Sequence, residues 1–279
     1  MIPRGRDLKI KIGIFVITHN KSPQYSRATE ICNKVESVMN TFENTVEVFT
    51  KILAWQPDSR ITTNRSYIKY QCFKYQSYRI WFGYGRSISF IRTLAFEIKS
   101  LMSKRSQLQI SKHLIYVATV VSQKNVRAWE TIVDHGLEAA LILEDDAILN
   151  LNNLHTFEEA MSEIASKEPT FINLARGNDL SHYKFKRYES ISKVSDWKIA
   201  PIADTACAYL INSECAKILL NEYRSVLKYD SLAIDFMLSD IFMRRKEINV
   251  LHHKFPPFSN GTLFGLFKSQ TGARVRGVD

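Results

Sequence analysis

Residues 139–146 read Ala-Ala-Leu-Ile-Leu-Glu144-Asp145-Asp146, and this stretch does most to decide the fold. A short apolar run bounded by polar residues is typical of a buried strand. Here the strand ends at three consecutive acids, which it delivers to its carboxyl end. In an open α/β sheet that edge is where ligands bind. The stretch therefore predicts a ligand site at the edge of a sheet.

The opening of the chain indicates which kind of sheet this is. Lys9 to Ile17 is β-branched and apolar, residues 26–39 have apolar side chains at helical spacing, and residues 45–50 alternate like a second strand. A strand, a helix and a strand in this order are typical of a doubly wound sheet. We therefore expect an α/β, Rossmann-type fold with a mostly parallel sheet flanked by helices.

The same alternation resumes in the second half of the chain. Ser122 is well placed to cap a helix that Gly136 ends, because glycine is common just past a helix. Residues 176–204 look like a loop or a partly mobile connection. The remaining expected elements are strands at 113–121, 170–174 and 205–211 and helices at 122–135, 154–166 and 213–226.

Composition indicates an ordinary globular protein. The chain has 279 residues, of which 45% are hydrophobic and 24% charged, and we expect one domain over 1–279. The early apolar run from Ile12 to Ile17 is too short to span a bilayer and does not resemble a signal peptide. The four cysteines form no CxxC pair, which favours reduced thiols and a cytoplasmic location.

The positive charge is concentrated in one part of the chain. Residues 60–127 hold thirteen Lys and Arg residues against one acid, Glu97, a balance of +12 within a net charge of +10. Many aromatic residues share this region, so we treat residues 52–110 as a basic, insertion-like segment, with a helix expected at 87–104. Such a segment suits an anionic glycan, the headgroups of the inner face of the cytoplasmic membrane, or nucleic acid. A solvated surface without a partner is the alternative.

The acids at the strand end are candidate metal ligands. Carboxylate oxygens bind Mg²⁺ or Mn²⁺, and such ions bridge to substrate phosphates. Alternate residues of a strand face the same way, so Glu144 and Asp146 are expected to face the metal together. Asp145 would contact a ribose or sugar, or point away. The alternative is that these acids cap the next helix or face water.

A longer stretch around these acids resembles glycosyltransferase family 25, which includes lipooligosaccharide β-galactosyltransferases. It runs from Ser122 through Trp129 and Gly136 to Leu-Ile-Leu-Glu144-Asp-Asp146. Weaker similarities follow at Thr205-Ala-Cys-Ala-Tyr209 with Ala216-Lys217, at Ala233-Ile-Asp235, and at the opening Ile14-Phe-Val-Ile17 with Arg27. The sequence departs from the family pattern at Gln123, where histidine is usual, and at Thr18-His19-Asn20.

The resemblance implies a GT-A-like fold and an inverting transfer from a UDP-sugar with Mn²⁺ or Mg²⁺. A hexose, with galactose as the first candidate, would be transferred to a cell-surface oligosaccharide, namely lipooligosaccharide, lipopolysaccharide or capsule. Asp235 matches the later aspartate block and is the candidate general base, with a structural role as the alternative. Further candidates are His252 as a third metal ligand, Ser259 and Asn260 as phosphate donors on a mobile closing loop, and Arg27 at the pyrophosphate or in a surface ion pair.

Two other classes of function stay open at this point. A nucleic-acid-binding protein or metal nuclease would use the basic region 60–127, although no known nucleic-acid-binding motif is present. A glycosyltransferase fold that only binds its ligand is the other, and the intact acidic triplet argues against it.

Overall fold

The computed structural model describes residues 10–18, 23–41, 46–54, 106–176, 197–199, 203, 206–226 and 233–262. The strands in these residues are β1 (Ile10–Ile17), β2 (Val46–Leu53), β3 (Ala139–Glu144), β4 (Ala147–Leu149), β5 (Thr170–Asn173), β6 (Ala175–Arg176), β7 (Trp197–Ile199), β8 (Ala208–Asn212), β9 (Asn249–His253) and β10 (Phe258–Asn260). The helices are α1 (Gln24–Met39), α2 (Ser106–Asp134), α3 (Leu154–Ile164), α4 (Ser213–Ser225) and α5 (Ile234–Arg244), with a 3-10 turn at Leu151–Asn153.

Seven of the strands form one sheet in the order β2-β1-β3-β8-β5-β9-β7. Strands β1, β2, β3, β5 and β9 run in one direction, whereas β8 and β7 are antiparallel to their neighbours. A second, three-stranded sheet has the order β4-β10-β6. The main sheet is therefore mostly parallel, and its antiparallel strand β8 lies directly beside β3.

Helices cover both faces of the main sheet. Along β1 the side chains alternate, with Phe15 packing on the face covered by α2, α4 and α5, and Ile14 packing on the face covered by α1 and α3. Both residues are fully buried. This three-layer arrangement explains why β1 and β3 are almost continuously apolar, because a strand buried on both faces has no polar side.

The predicted α/β class and most of its elements are confirmed. Strands β1, β2, β3, β5 and β8 and helices α1, α3 and α4 lie within a few residues of their expected positions. Gly136 follows the end of α2 with φ +61°, a conformation that glycine adopts without strain. Of the segment expected as a loop at 176–204, the described residues include Arg176 at the end of β6 and strand β7, which pairs with β9.

The strand expected at 113–121 is wrong, because these residues belong to the long helix α2. Ser122 is consequently a buried residue inside this helix and does not cap it. From Thr119 to Trp129 most side chains are buried, and Arg127 alone is exposed. A helix buried nearly all round loses its amphipathic pattern, so its apolar run is easily taken for a strand.

Residues 55–105 lie outside the described part of the chain. Most of the basic segment 52–110 and the helix expected at 87–104 fall there.

Candidate active site at the end of strand β3

The acidic triplet is held by backbone hydrogen bonds from three directions. The amide of Glu144 donates to the carbonyl of Cys207 (2.8 Å), beside β8, and the amide of Asp145 donates to the carbonyl of Ile17 (3.0 Å), at the end of β1. The carbonyl of Asp146 accepts from the amide of Gly261 (2.8 Å), which follows β10. The three carboxyl groups are therefore fixed by the main sheet and by the C-terminal part of the described chain.

Glu144 and Asp146 lie together, and a thiol joins them. One ligand atom from each of Glu144, Asp146 and Cys207 lies within 4.8 Å of the other two. Cys207 Sγ is 3.6 Å from Asp146 Oδ1, and Asp146 Oδ2 accepts a hydrogen bond from the Thr262 hydroxyl at 2.6 Å. Two carboxylates at this spacing suit the expected divalent cation, and the sulfur beside them is a donor that softer divalent cations accept.

Asp145 has quite different partners. Its Oδ2 accepts a hydrogen bond from the Thr18 hydroxyl (2.9 Å) and lies 3.7 Å from a guanidinium nitrogen of Arg27. Arg27 Nε also donates to the Asp145 carbonyl at 3.3 Å. Lys124 lies on the same side, where its Nζ donates to the Thr18 carbonyl at 2.6 Å. Arg27 is thus the ion-pair partner of Asp145.

Burial and mutual repulsion dominate the electrostatics of the triplet. Burial, followed by the charges of Asp146, Asp145 and Asp235, raises the pKa of Glu144 well above its usual value. Burial also raises the pKa of Asp145, to about 6, although the Thr18 hydrogen bond and the charge of Arg27 oppose the shift. Neutralising several nearby acids by a cation would relieve this repulsion, which again fits a metal.

The same surroundings shift the pKa values of the neighbouring lysine and thiol. Burial lowers the pKa of Lys124 to about 7, against the attraction of Asp145. Burial, with the charges of Asp146 and Glu144, raises the pKa of the Cys207 thiol well above its usual value. Both groups therefore resist holding a charge unless a partner of opposite charge is present.

A buried polar network lies next to the acids. Trp129 Nε1 donates to the Tyr209 hydroxyl (3.1 Å), which donates to Asn125 Oδ1 (2.5 Å), and Asn125 Nδ2 donates to the carbonyl of Val121 (2.9 Å). The charge of Glu144 acts on Tyr209, which places this network close to the site. Because its polar atoms have partners, the network holds α2 and β8 in one arrangement.

The other predicted site residues fall at different distances from the acids. Asp235 lies in the first turn of α5, partly buried, and its charge acts on Glu144. Ser259 and Asn260 lie in strand β10, paired with Ile148 and Ala147 of β4. The mobile loop expected around Ser259 and Asn260 is therefore wrong, because these residues belong to a strand.

The structure does not bring His252 to the acids. It is buried on β9, and two strands, β8 and β5, separate β9 from β3. Three strand spacings correspond to about 14 Å, which is far beyond any metal–ligand bond. Its neighbour His253 has a structural role: its Nδ1 accepts from the amide of Phe255 (3.0 Å), and its ring packs against Trp197.

Four residues of the site were missed by the sequence reasoning. Thr18 and Cys207 lie at the ends of strands beside β3, a position that strand order would have identified. Lys124 was counted only as part of the basic region, and its role depends on the unexpected helix α2. Thr262 follows β10, and nothing in its local sequence indicates that it reaches Asp146.

Comparison with known proteins identifies the class of enzyme. The family model described as "Glycosyltransferase family 25 (LPS biosynthesis protein)" matches residues 126–238, which include the acidic triplet, Cys207 and Asp235. These residues are similar to glycosyltransferase family 25. The protein is therefore a glycosyltransferase, and the predicted resemblance to the family is confirmed over residues 126–238. The predicted α/β class with a mostly parallel sheet is confirmed as well. The family match favours a glycosyltransferase over the metal nuclease that the sequence had left open.

Two solved glycosyltransferase structures also match this chain at low similarity. One is a glycosyltransferase involved in glycosylation of the major capsid of PBCV-1, with 9% identity, coverage of 87% of this chain and 92% of that one, and a TM-score of 0.32. The other is mouse xyloside xylosyltransferase 1 in its apo form, with 8% identity, coverage of 88% and 84%, and a TM-score of 0.28. No curated protein matches the chain.

Among the described residues, none of the helices combines the length and apolar composition that crossing a bilayer requires.

Proposed function

We propose that this glycosyltransferase transfers a hexose from a UDP-sugar to an oligosaccharide acceptor, with galactose as the first candidate. The transfer would invert the anomeric carbon and use a divalent cation. The observation that carries the proposal is the pairing of Glu144 and Asp146, with Cys207 beside them, at the carboxyl end of β3. Sugar–diphosphate cleavage leaves negative charge on a phosphate oxygen, and a divalent cation held by these residues would supply the countercharge.

Glu144 and Asp146 would hold Mn²⁺ or Mg²⁺, which when bound neutralises the diphosphate leaving group. Asp145 has a separate role in the proposal. Its contacts with Thr18, just after β1, and with Arg27, in α1, tie these two residues to the triplet, where they would lie beside the diphosphate. Ser259 and Asn260 lie on β10 within reach of the same edge, which supports them as donors to phosphate.

Asp235 is the proposed general base. Inversion by a single displacement needs a base that takes the acceptor hydroxyl proton while the oxygen attacks the anomeric carbon. Two observations support Asp235: it is partly exposed in the first turn of α5, and its charge acts on Glu144. Asp235 therefore lies near the acidic triplet but is not part of the group formed by Glu144, Asp146 and Cys207.

The charge of the chain supports an acidic acceptor and a location at the membrane surface. The balance of +12 over residues 60–127 suits a phosphorylated or acidic glycan under assembly at the inner face of the cytoplasmic membrane. We propose a lipopolysaccharide, lipooligosaccharide or capsule acceptor, a single catalytic domain over 1–279, and peripheral contact with anionic lipid. Binding to anionic vesicles should weaken as salt rises, and salt-independent binding would contradict this part.

The test of the proposal is thermal stability with UDP and a panel of UDP-sugars, each with and without Mn²⁺. A ligand at a hundredfold over its Kd stabilises the folded state by about 2.7 kcal/mol, so a Mn²⁺-dependent rise in Tm is expected. No rise with any nucleotide would contradict the donor assignment.

The base is tested separately with Asp235→Asn. We expect kcat to fall by about 10²–10⁴-fold while the Mn²⁺–UDP shift in Tm is retained. The matched control is Asp134→Asn, an exposed aspartate at the end of α2. If Asp235→Asn also removes the UDP shift, the residue holds the site together and does not act as the base.

A further inference from the structure

We propose that Cys207 is a third protein ligand of the metal, and that its sulfur gives the site a preference for thiophilic divalent cations over Mg²⁺. The inference rests on the metal site proposed at Glu144 and Asp146. Cys207 is the residue just before β8, and its side chain is 1% exposed. The three ligand atoms come from two segments that meet beside the acidic triplet: one carries Glu144 and Asp146, the other Cys207.

The geometry brings the sulfur to the right place. The carbonyl of Cys207 accepts the amide of Glu144 at 2.8 Å, so the two residues are fixed side by side. Sγ is 3.6 Å from Asp146 Oδ1. Two ligands of one Zn²⁺ lie at most about 4.5 Å apart, because each bond is about 2.0–2.3 Å long. The distance of 3.6 Å is within that limit.

Asp146 is already oriented toward the thiol. Its Oδ2 accepts the Thr262 hydroxyl at 2.6 Å, which turns Oδ1 toward Cys207 Sγ. A ligand carboxylate held by an outer hydrogen bond is typical of metal sites. Thr262 thus positions Asp146 so that the Oδ1 atom of Asp146 faces the sulfur of Cys207.

The donor set decides the preferred cation. Mg²⁺ requires oxygen ligands and keeps several waters, whereas Zn²⁺, Co²⁺ and Cd²⁺ accept sulfur readily. On binding, the metal–sulfur bond replaces the S–H bond, and the proton passes to solvent. Two carboxylates and one thiolate then surround the cation, and the affinity for a thiophilic cation should depend on the sulfur.

The experiment is a metal titration of the full chain followed by ultraviolet absorption. Cd²⁺ bound to a thiolate gives a sulfur-to-metal charge-transfer band. We expect this band in the wild type at one equivalent, lost in Cys207→Ser and in Cys207→Ala, and retained in Cys32→Ser. Cys32 is a suitable control because it is a buried free cysteine on α1.

Affinities complete the test. In Cys207→Ser the Kd for Zn²⁺ should rise about tenfold or more, as loss of even an outer-shell partner costs about 10–100-fold, while the Kd for Mg²⁺ stays within about twofold. An undiminished Cd²⁺ band in both Cys207 variants would overturn the proposal. A wild type that binds Mn²⁺ but shows no charge-transfer band with Cd²⁺ would also overturn the proposal. That result would leave the proposed function intact. Absence of all divalent-metal binding would overturn both.

Discussion

Glu144 and Asp145 are neighbours in the chain, yet they face different surroundings. Asp145 has a hydroxyl, a guanidinium and a nearby ammonium, and its pKa is raised only to about 6. For Glu144, burial and three other acids all act in the same direction, and its pKa is raised well above the usual value. The protein itself therefore supplies positive partners on the Asp145 side of the triplet, whereas repulsion on the Glu144 side would be relieved by the cation proposed to bind there.

The largest expected effect is that of Glu144→Gln. A bound metal is worth several kcal/mol at the transition state, so activity should fall by about 10²-fold or more, and the Mn²⁺-dependent rise in Tm should disappear. The metal-free protein should be as stable as the wild type or more so, because a repelled buried charge has been removed. Thermal denaturation with and without Mn²⁺ checks both. The control is the exposed Glu138→Gln at the start of β3, which should leave both quantities unchanged.

A smaller effect is expected from Thr262→Val, which removes the hydrogen bond to Asp146 Oδ2 but keeps the shape of the side chain. The Kd for Mn²⁺ should rise about tenfold, in the range seen when outer-shell partners are removed. Calorimetric titration measures it. The exposed Thr41→Val, whose hydroxyl bonds only within its own helix end, should leave the Kd unchanged. Equal Kd values in the two variants would mean that Thr262 does not position Asp146.

Asp145→Asn should leave metal binding unchanged, which would sharpen the contrast between Asp145 and Glu144. Its effect should appear in the pH dependence of stability instead. The folded-state pKa of about 6 lies above the ordinary value of 3.8, so the wild type loses stability as pH rises through 6. Between pH 5 and 7.5 the variant should gain about 1 kcal/mol relative to the wild type. Urea denaturation at the two pH values measures this. A Mn²⁺ affinity lowered as strongly as in Glu144→Gln would contradict the division of roles.

The smallest effect is expected from Arg27→Gln. Its ion pair with Asp145 is partly exposed, so the loss of stability at pH 7.5 should be under about 1 kcal/mol. The loss should shrink at pH 5, because Asp145 is then mostly protonated and no longer needs a positive partner. Arg224→Gln, which removes a more exposed ion pair with Glu130, serves as the control and should show little effect at either pH.

The fold was largely predictable because β1, β3 and β5 are buried on both faces and therefore appear as short apolar runs. Helix α2 was not fully predictable for a related reason, since the burial of most side chains from Thr119 to Trp129 removes the polar face that identifies a helix. Within the site, the pairing of Glu144 and Asp146 was predicted from local sequence, although Asp146 lies in the turn between β3 and β4 and not on the strand.

The remaining site residues depend on contacts across long separations in the chain. Cys207 reaches the acids because β8 is inserted antiparallel between β3 and β5, and no local pattern predicts that insertion. His252 shows the converse error. A histidine after an apolar strand looks like a ligand, but its strand lies too far along the sheet. Strand order, which the sequence does not reveal, separates the two cases.

The link between Asp146 and the segment after β10 also has a consequence for how the enzyme matures. Gly261 and Thr262 bind Asp146 from more than a hundred residues further along the chain. Synthesis proceeds from the N-terminus, so a growing chain that has emerged only as far as β9 contains Glu144, Asp146 and Cys207 without the hydroxyl that orients Asp146. The group of ligand atoms proposed to hold the metal is thus among the last parts of the described structure to be completed, and metal binding should require synthesis at least as far as Thr262.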